Sequence, residues 1–163
     1  MFNKLFGPKK VEGSGEPAAP EVLREALLEL FPKAGEINRH LEIEPNEKFP
    51  QGFKAVWRFF TLETDSEDDS TYPFAMTYTM QVNIKPEEKA VFLKTSQSGK
   101  TARVPEGEEI YDNWYSQVRV GTLEEVQAQA EDEQARGVIT YTIKKITAPL
   151  VACATSIGWD AYY

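Results

Sequence analysis

One run of alternating residues, FAMTYTMQVNI from Phe74 to Ile84, constrains the fold more than any other part of this sequence. Every second residue from Phe74 onward is apolar, whereas the residues between them are alanine, threonine, glutamine and asparagine. Successive side chains of a β-strand point to opposite faces of a sheet, so this strand has one apolar side and one polar side. Such a strand is typical of an antiparallel sheet that is covered on one face only.

Several other segments supply neighbours for this strand. We predict further strands over 37–44, 53–62, 90–95, 116–120 and 138–146. The segment 53–62 is apolar on both parities, which favours a central strand, and 90–95 returns from 74–84 as a hairpin. GKT at 99–101 lacks the second glycine of a phosphate-binding loop, and we interpret it as part of another hairpin turn.

Three segments, 20–31, 123–136 and 148–159, have the composition and spacing of helices. The first begins at Pro20, and the second follows Thr122, which forms a capping-box pattern with Glu125. The third is apolar nearly all round. We therefore predict an α+β fold, in which one mainly antiparallel, twisted sheet of five to seven strands carries these helices mostly on one face.

The composition is that of a globular domain. The 163 residues are 41% hydrophobic and 27% charged, which is close to ordinary usage. Residues 11–20 are rich in glycine, proline and small side chains, so we predict a flexible tip and linker over 1–19 and a single domain over 20–163. We expect the apolar segment 148–159 to lie in the core or at a homodimer interface; full burial within one chain would indicate the core.

The charge and hydropathy patterns exclude some classes of partner. The net charge is −8 and the sequence has no basic stripe, so we predict no binding to nucleic acid. No run approaches the roughly 18 apolar residues of a membrane-spanning helix, so we predict no stable membrane insertion. The first residues lack the pattern of a secretory leader, and we expect a cytoplasmic protein.

The sequence contains no residue set that predicts chemistry. Cys153 is the only cysteine and lies in an apolar segment, where a thiol resists ionisation, and His40 is the only histidine. The acidic stretch 64–71 lacks the spacing of a calcium loop. We predict no catalytic residue, no metal site and no cofactor. An enzyme that uses a pair of carboxylates stays open, because spacing does not tell which acids meet in space.

Two aromatic groups are the candidate binding residues, because Trp and Tyr often anchor protein interfaces. One group is Tyr111, Trp114 and Tyr115, and the other is Trp159, Tyr162 and Tyr163. We therefore predict a non-catalytic domain that binds a protein partner, as a small adaptor, chaperone or inhibitor does. The alternative is a small-molecule or lipid-binding fold with an apolar pocket in a curved sheet, lined by Trp57, Phe59, Tyr78 and Met80.

Overall fold

The computed structural model describes residues 7–31, 40–64, 67–68, 70–114, 117–122, 125 and 146–163. These residues form two helices, α1 (Pro20–Glu29) and α2 (Thr147–Ser156), and a short 3-10 turn at Pro86–Glu88. The described strands are β1 (Lys10–Val11), β2 (Leu41–Pro45), β3 (Phe53–Thr64), β4 (Thr71–Lys85), β5 (Ala90–Thr101), β6 (Ile110–Trp114), β7 (Gln117–Gly121) and β8 (Asp160–Tyr162).

All the described strands belong to one sheet, in the order β1-β8-β5-β4-β3-β6-β7. Strand β4 pairs with β3 along its whole length. Strands β2 and β6 therefore share the opposite edge of β3. Six of these strands are five residues or longer, whereas β1 and β8 are short. Among the described pairs, only β3–β6 and β5–β8 are parallel. The predicted α+β fold with a mainly antiparallel sheet of five to seven strands is confirmed.

The two sides of β4 have the environments that its alternation predicts. Tyr78, Met80 and Val82 are buried on the side that carries α1 and α2, which we call the helix-covered face. The opposite side, the polar face, carries Ala75, Thr77, Thr79, Gln81 and Asn83. On it Asn83 is buried and accepts a hydrogen bond of 2.7 Å from the Asn46 side chain. The buried amide of this face is therefore satisfied. The neighbouring strand β3 also buries apolar side chains on the same face, among them Val56 opposite Thr79 and Leu62, which packs with Ile110 in a second, smaller cluster.

Helix α1 packs its apolar stripe on the helix-covered face. Pro20 suits the first helical position, and Leu23 and Leu27, one turn apart, are completely buried. The helix ends two residues before the predicted Phe31. That residue lies just beyond the helix, where its ring packs edge-on against Phe53 at a centroid distance of 5.5 Å. Phe31 is therefore buried against the sheet, although the helix ends before it.

Helix α2 ends at Ser156, three residues before the predicted end. Gly158 has a positive φ of 91°, a conformation that favours glycine, and its N–H donates to the Thr155 carbonyl. The N–H of Trp159 donates to the Ala154 carbonyl at 3.0 Å, which completes a Schellman motif. The chain therefore turns at Gly158 and continues as β8, which the sequence pattern did not predict.

The amino-terminal residues of the described chain run beside this carboxyl-terminal segment. Lys9 and Tyr163 exchange two backbone hydrogen bonds, of 2.7 and 3.0 Å. The N–H of Gly13 donates to the Asp160 carboxylate at 2.9 Å, and the N–H of Ala18 donates to a carbonyl in the turn after α2. The predicted division into a flexible segment 1–19 and a domain 20–163 stays a prediction.

Two predicted elements lie wholly or largely outside the described residues. Of the helix predicted over 123–136 only Glu125 is described, and of the strand predicted over 138–146 only Ile146 is described. The capping box is confirmed: the N–H of Thr122 donates to Glu125, and the N–H of Glu125 donates to the Thr122 hydroxyl, both at 3.3 Å. Among the described residues, no helix has both the length and the apolar character needed to cross a membrane.

Candidate functional site

The structure assigns different roles to the carboxyl-terminal aromatic residues. Trp159 is completely buried, and its indole N–H donates to the Ala18 carbonyl at 2.8 Å. Tyr162 is half-buried and stacks on Phe92, with ring centroids 4.3 Å apart. Tyr163 is 42% exposed at the end of the chain. Of this group, therefore, only Tyr162 and Tyr163 present side-chain surface to solvent.

The other predicted aromatic group lies at a different place in the sheet. Tyr111 and Trp114 are on β6, and Tyr115 is outside the described residues. Strands β6 and β8 are separated by β3, β4 and β5, so the sheet does not bring the two aromatic groups together. Each group therefore stays a separate prediction of binding residues.

The apolar carboxyl-terminal segment contributes to the core of a single chain. Leu150, Val151 and Ala154 of α2 are buried in the main hydrophobic cluster together with Trp159. This is the burial pattern that indicates a core element. A homodimer through this segment stays a prediction.

The outer edge of β5 is the feature of the sheet that the sequence did not reveal. Strand β8 pairs only with Ala90, Val91 and Phe92, and from Leu93 onward β5 pairs with β4 alone among the described strands. All eight residues from Lys94 to Thr101, which we call the β5 edge, are exposed. An edge strand leaves the outward N–H and C=O groups unpaired, so this segment can accept another strand.

Cross-strand register places the β5 edge residues on two faces. Lys94 lies opposite Gln81 and Lys100 lies opposite Ala75, so both lysines are on the polar face with Ser96 and Ser98. Neither lysine forms an ion pair with a described residue. Arg58 of the same face, by contrast, binds Glu42 and Glu44 at 3.3 and 2.8 Å. The β5 edge therefore presents two positive charges that no described acidic residue pairs with, on a protein of net negative charge.

A cleft of about 320 Å³ lies beside the β5 edge on the helix-covered face. The lining residues are Tyr72, Phe74, Met76, Gln97, Ser98 and Gly99. The Phe74 ring covers Gly99 so closely that a Cβ atom at Gly99 would overlap with it. An aromatic ring over a glycine of the neighbouring strand is a known way to stabilise an edge. The cleft therefore combines the aromatic rings of Tyr72 and Phe74 with polar groups of Gln97 and Ser98, next to the edge of β5.

The residues predicted to line a ligand pocket have a different role. Trp57, Phe59, Tyr78 and Met80 are all buried in the main hydrophobic cluster. A second cleft, of about 350 Å³, lies near the end of β2 and beside Arg24 of α1. Neither this cleft nor the one beside the β5 edge includes any of the four residues.

Neither a metal-binding cluster nor an activated thiol is found among the described residues. No three His, Cys, Asp or Glu residues among them are grouped so as to hold a metal ion. Burial, with a smaller contribution from Glu29, raises the pKa of the Cys153 thiol, which favours the protonated form over the nucleophilic thiolate. Burial also raises the pKa of Tyr78, an effect that Thr95 partly offsets. The Tyr78 hydroxyl is buried without a hydrogen bond of acceptable geometry.

Comparison with protein-family models, with curated proteins and with solved structures finds no match to this chain. The geometry of the β5 edge is therefore the main indication of function.

Proposed function

We propose that this protein is a non-catalytic, cytoplasmic protein-binding domain, of the adaptor, chaperone or inhibitor type, which binds an extended segment of its partner along the β5 edge. The observation that carries this proposal is the edge from Lys94 to Thr101, which is exposed at every residue and pairs with no described strand other than β4. Addition of a strand to an exposed sheet edge is a recurrent mode of peptide recognition, in which the main-chain hydrogen bonds provide affinity.

The length and composition of the β5 edge suit this role. Eight residues of strand extend about 27 Å, and about four of them direct their N–H and C=O groups outward. The segment KTSQSGKT contains no proline, so every residue retains its N–H donor. Strand β4 pairs with β5 along its whole length, from Phe74 opposite Thr101 to Lys85 opposite Ala90, and so holds the edge extended before any partner arrives.

The alternative functions have less support. The residues predicted to line a lipid or small-molecule pocket are buried in the core cluster. The side chains that would form a homodimer interface at the carboxyl terminus, such as Leu150 and Trp159, are buried within the chain. Both observations favour a surface function at the edge of the sheet.

Site-specific photocrosslinking tests the proposal. A photoreactive phenylalanine analogue at Ser98, on the β5 edge, should crosslink a partner protein in an extract of cells that express this chain. The same analogue at Glu21, exposed on α1, is the matched control and should not. In the purified complex, amides of 94–101 should exchange hydrogen more slowly than in the free protein. Equal crosslinking from both positions, or a complex in which these amides exchange as before, would refute the proposal.

A further inference from the structure

We infer that the segment bound at the β5 edge is acidic, with two carboxylates six residues apart that face Lys94 and Lys100, and an apolar side chain midway between them in the cleft beside Phe74. This inference rests on the proposed strand addition, and it adds the chemistry of the partner segment. Three features of the edge carry it: the placement of the lysines, the position of the cleft and the like charges that oppose self-pairing.

The two lysines define the charge pattern of the partner. Residues 94 and 100 differ by an even number, so both side chains are on the polar face, about 20 Å apart along the strand. A strand paired along the edge places one residue opposite each of them. Since each lysine lacks an ion-pair partner among the described residues, a carboxylate at either position gains a cross-strand attraction without displacing an existing one.

The cleft indicates which kind of side chain the partner carries midway between its two carboxylates. Gln97 lies midway between Lys94 and Lys100 and is on the opposite face, where it borders the cleft with Gly99. A partner residue opposite Gln97 directs its side chain to that same face, toward the rings of Phe74 and Tyr72. These two rings, 6.5 Å apart in an edge-on arrangement, are apolar parts of a cleft whose exposed lining is otherwise mostly polar, and a side chain at this position can pack against them. An aliphatic side chain suits this position.

The same charges argue against a second copy of this chain as the occupant. Antiparallel pairing of two β5 edges about Gln97 would place Lys94 of each chain opposite Lys100 of the other. Like charges directly opposite each other destabilise a strand pair, and lysine on an edge is a common defence against self-association. An acidic segment avoids this repulsion.

Synthetic peptides test the inference. A blocked nine-residue peptide, matching Leu93 to Thr101, carries Glu at its second and eighth positions, Leu at its fifth and Thr elsewhere. These positions lie opposite Lys94, Lys100 and Gln97 in either strand direction. We expect it to bind about tenfold more tightly than a peptide with Gln in place of Glu, since each cross-strand ion pair contributes modestly. Replacing Leu by Thr should weaken binding, and added salt should reduce the advantage of Glu.

A charge swap provides the control. In the variant Lys94→Glu with Lys100→Glu, the preference should reverse, so that a peptide with Lys at the second and eighth positions binds best. The variant Lys9→Glu with Lys48→Glu changes the net charge equally away from the β5 edge and should retain the preference for Glu.

The outcomes separate this inference from the proposed function. If every peptide protects the amides of 94–101 regardless of its charge, strand addition stands and the acidic preference is wrong. If none of the peptides protects these amides, both are wrong. If a concentration-dependent dimer of the protein alone protects them, the occupant is a second copy and the inference is overturned.

Discussion

At the turn end of the β4–β5 hairpin, Ile84 and Val91 are each 1% exposed, whereas at its other end every residue from Lys94 to Thr101 is exposed. The same two strands form both ends, in one continuous register. At the turn end, β8 covers the edge of β5 and Trp159 packs in the adjoining core. At the other end, the described chain provides no strand beyond β5.

This difference separates the roles of the two regions. The turn end buries apolar side chains on the helix-covered face and has its outer backbone groups paired, so substitutions there should affect stability. The β5 edge buries little and leaves backbone groups available, so substitutions there should affect binding more than stability. Functional segments are often found in the less stable parts of a fold for this reason. The following predictions test the contrast, in order of decreasing effect.

The largest effect is expected from Trp159→Ala at the turn end. The side chain is completely buried and its indole N–H is bonded to Ala18, so the change creates a cavity and leaves a carbonyl unpaired. We expect the free energy of unfolding to fall by about 3–5 kcal/mol, measured by urea denaturation. The matched change Phe74→Ala, at the half-exposed end, should lower the free energy of unfolding clearly less. Equal losses would show that the two ends of the hairpin do not differ in stability.

Two glycines provide a finer comparison. A Cβ at Gly52 would overlap with the Val82 backbone carbonyl, whereas a Cβ at Gly99 would chiefly meet the Phe74 ring, a side chain that can rotate away. We expect Gly52→Ala to cost about 3 kcal/mol and Gly99→Ala about 1 kcal/mol of unfolding free energy. Thermal or urea denaturation of both variants measures the difference. A greater loss at Gly99 would contradict the close approach inferred for Gly52.

Tyr78→Phe should stabilise the protein slightly, by roughly 1 kcal/mol, because the buried hydroxyl has no well-formed hydrogen bond. Burial raises the pKa of Tyr78 in the folded state, so folding favours the protonated phenol. Its contribution is therefore complete below the unfolded pKa, near 10, and declines as the pH rises through the folded value. The advantage of the Phe variant should grow above about pH 10. A lower stability of this variant at neutral pH would show that the hydroxyl is well bonded.

The smallest effect is expected at the β5 edge. Lys94→Glu with Lys100→Glu should change the free energy of unfolding by no more than about 0.5 kcal/mol, since both side chains are exposed and unpaired with described residues. Urea denaturation measures this change. A loss of several kcal/mol would mean that the lysines stabilise the fold, and the edge would then no longer contrast with the turn end.

Particular residues show which parts of the fold the sequence pattern predicted correctly. The alternation from Phe74 to Ile84 predicted a strand with one buried face, and Met80 and Val82 are completely buried as expected. The GKT segment at 99–101 was interpreted as part of a hairpin turn, and this was wrong, because β5 continues through Gly99 to Thr101. Serine, glycine and lysine have low strand propensity, but β4 supplies a partner residue opposite each of them.

Trp159 shows why the sequence could not tell whether a candidate site residue is exposed or buried. A tryptophan near the end of a chain is equally compatible with an interface anchor and with a core residue, and its burial depends on contacts with Ala18, distant in sequence. The β5 edge had no sequence signal at all. Its residues are ordinary polar residues, and their availability depends on which strand stops at Phe92.

The sequence by itself determined the local periodicities: which segments alternate as strands, where α1 begins at Pro20, and that Thr122 and Glu125 form a capping box. These features depend on side chains a few residues apart, so they can be read from short segments. Only the tertiary structure decided that β8 returns parallel to β5, that Trp159 is core and that no second described strand pairs with β5 beyond Leu93. Those outcomes depend on strand pairings between segments far apart in the chain, whose free energy is shared among many contacts and is not encoded in any single segment.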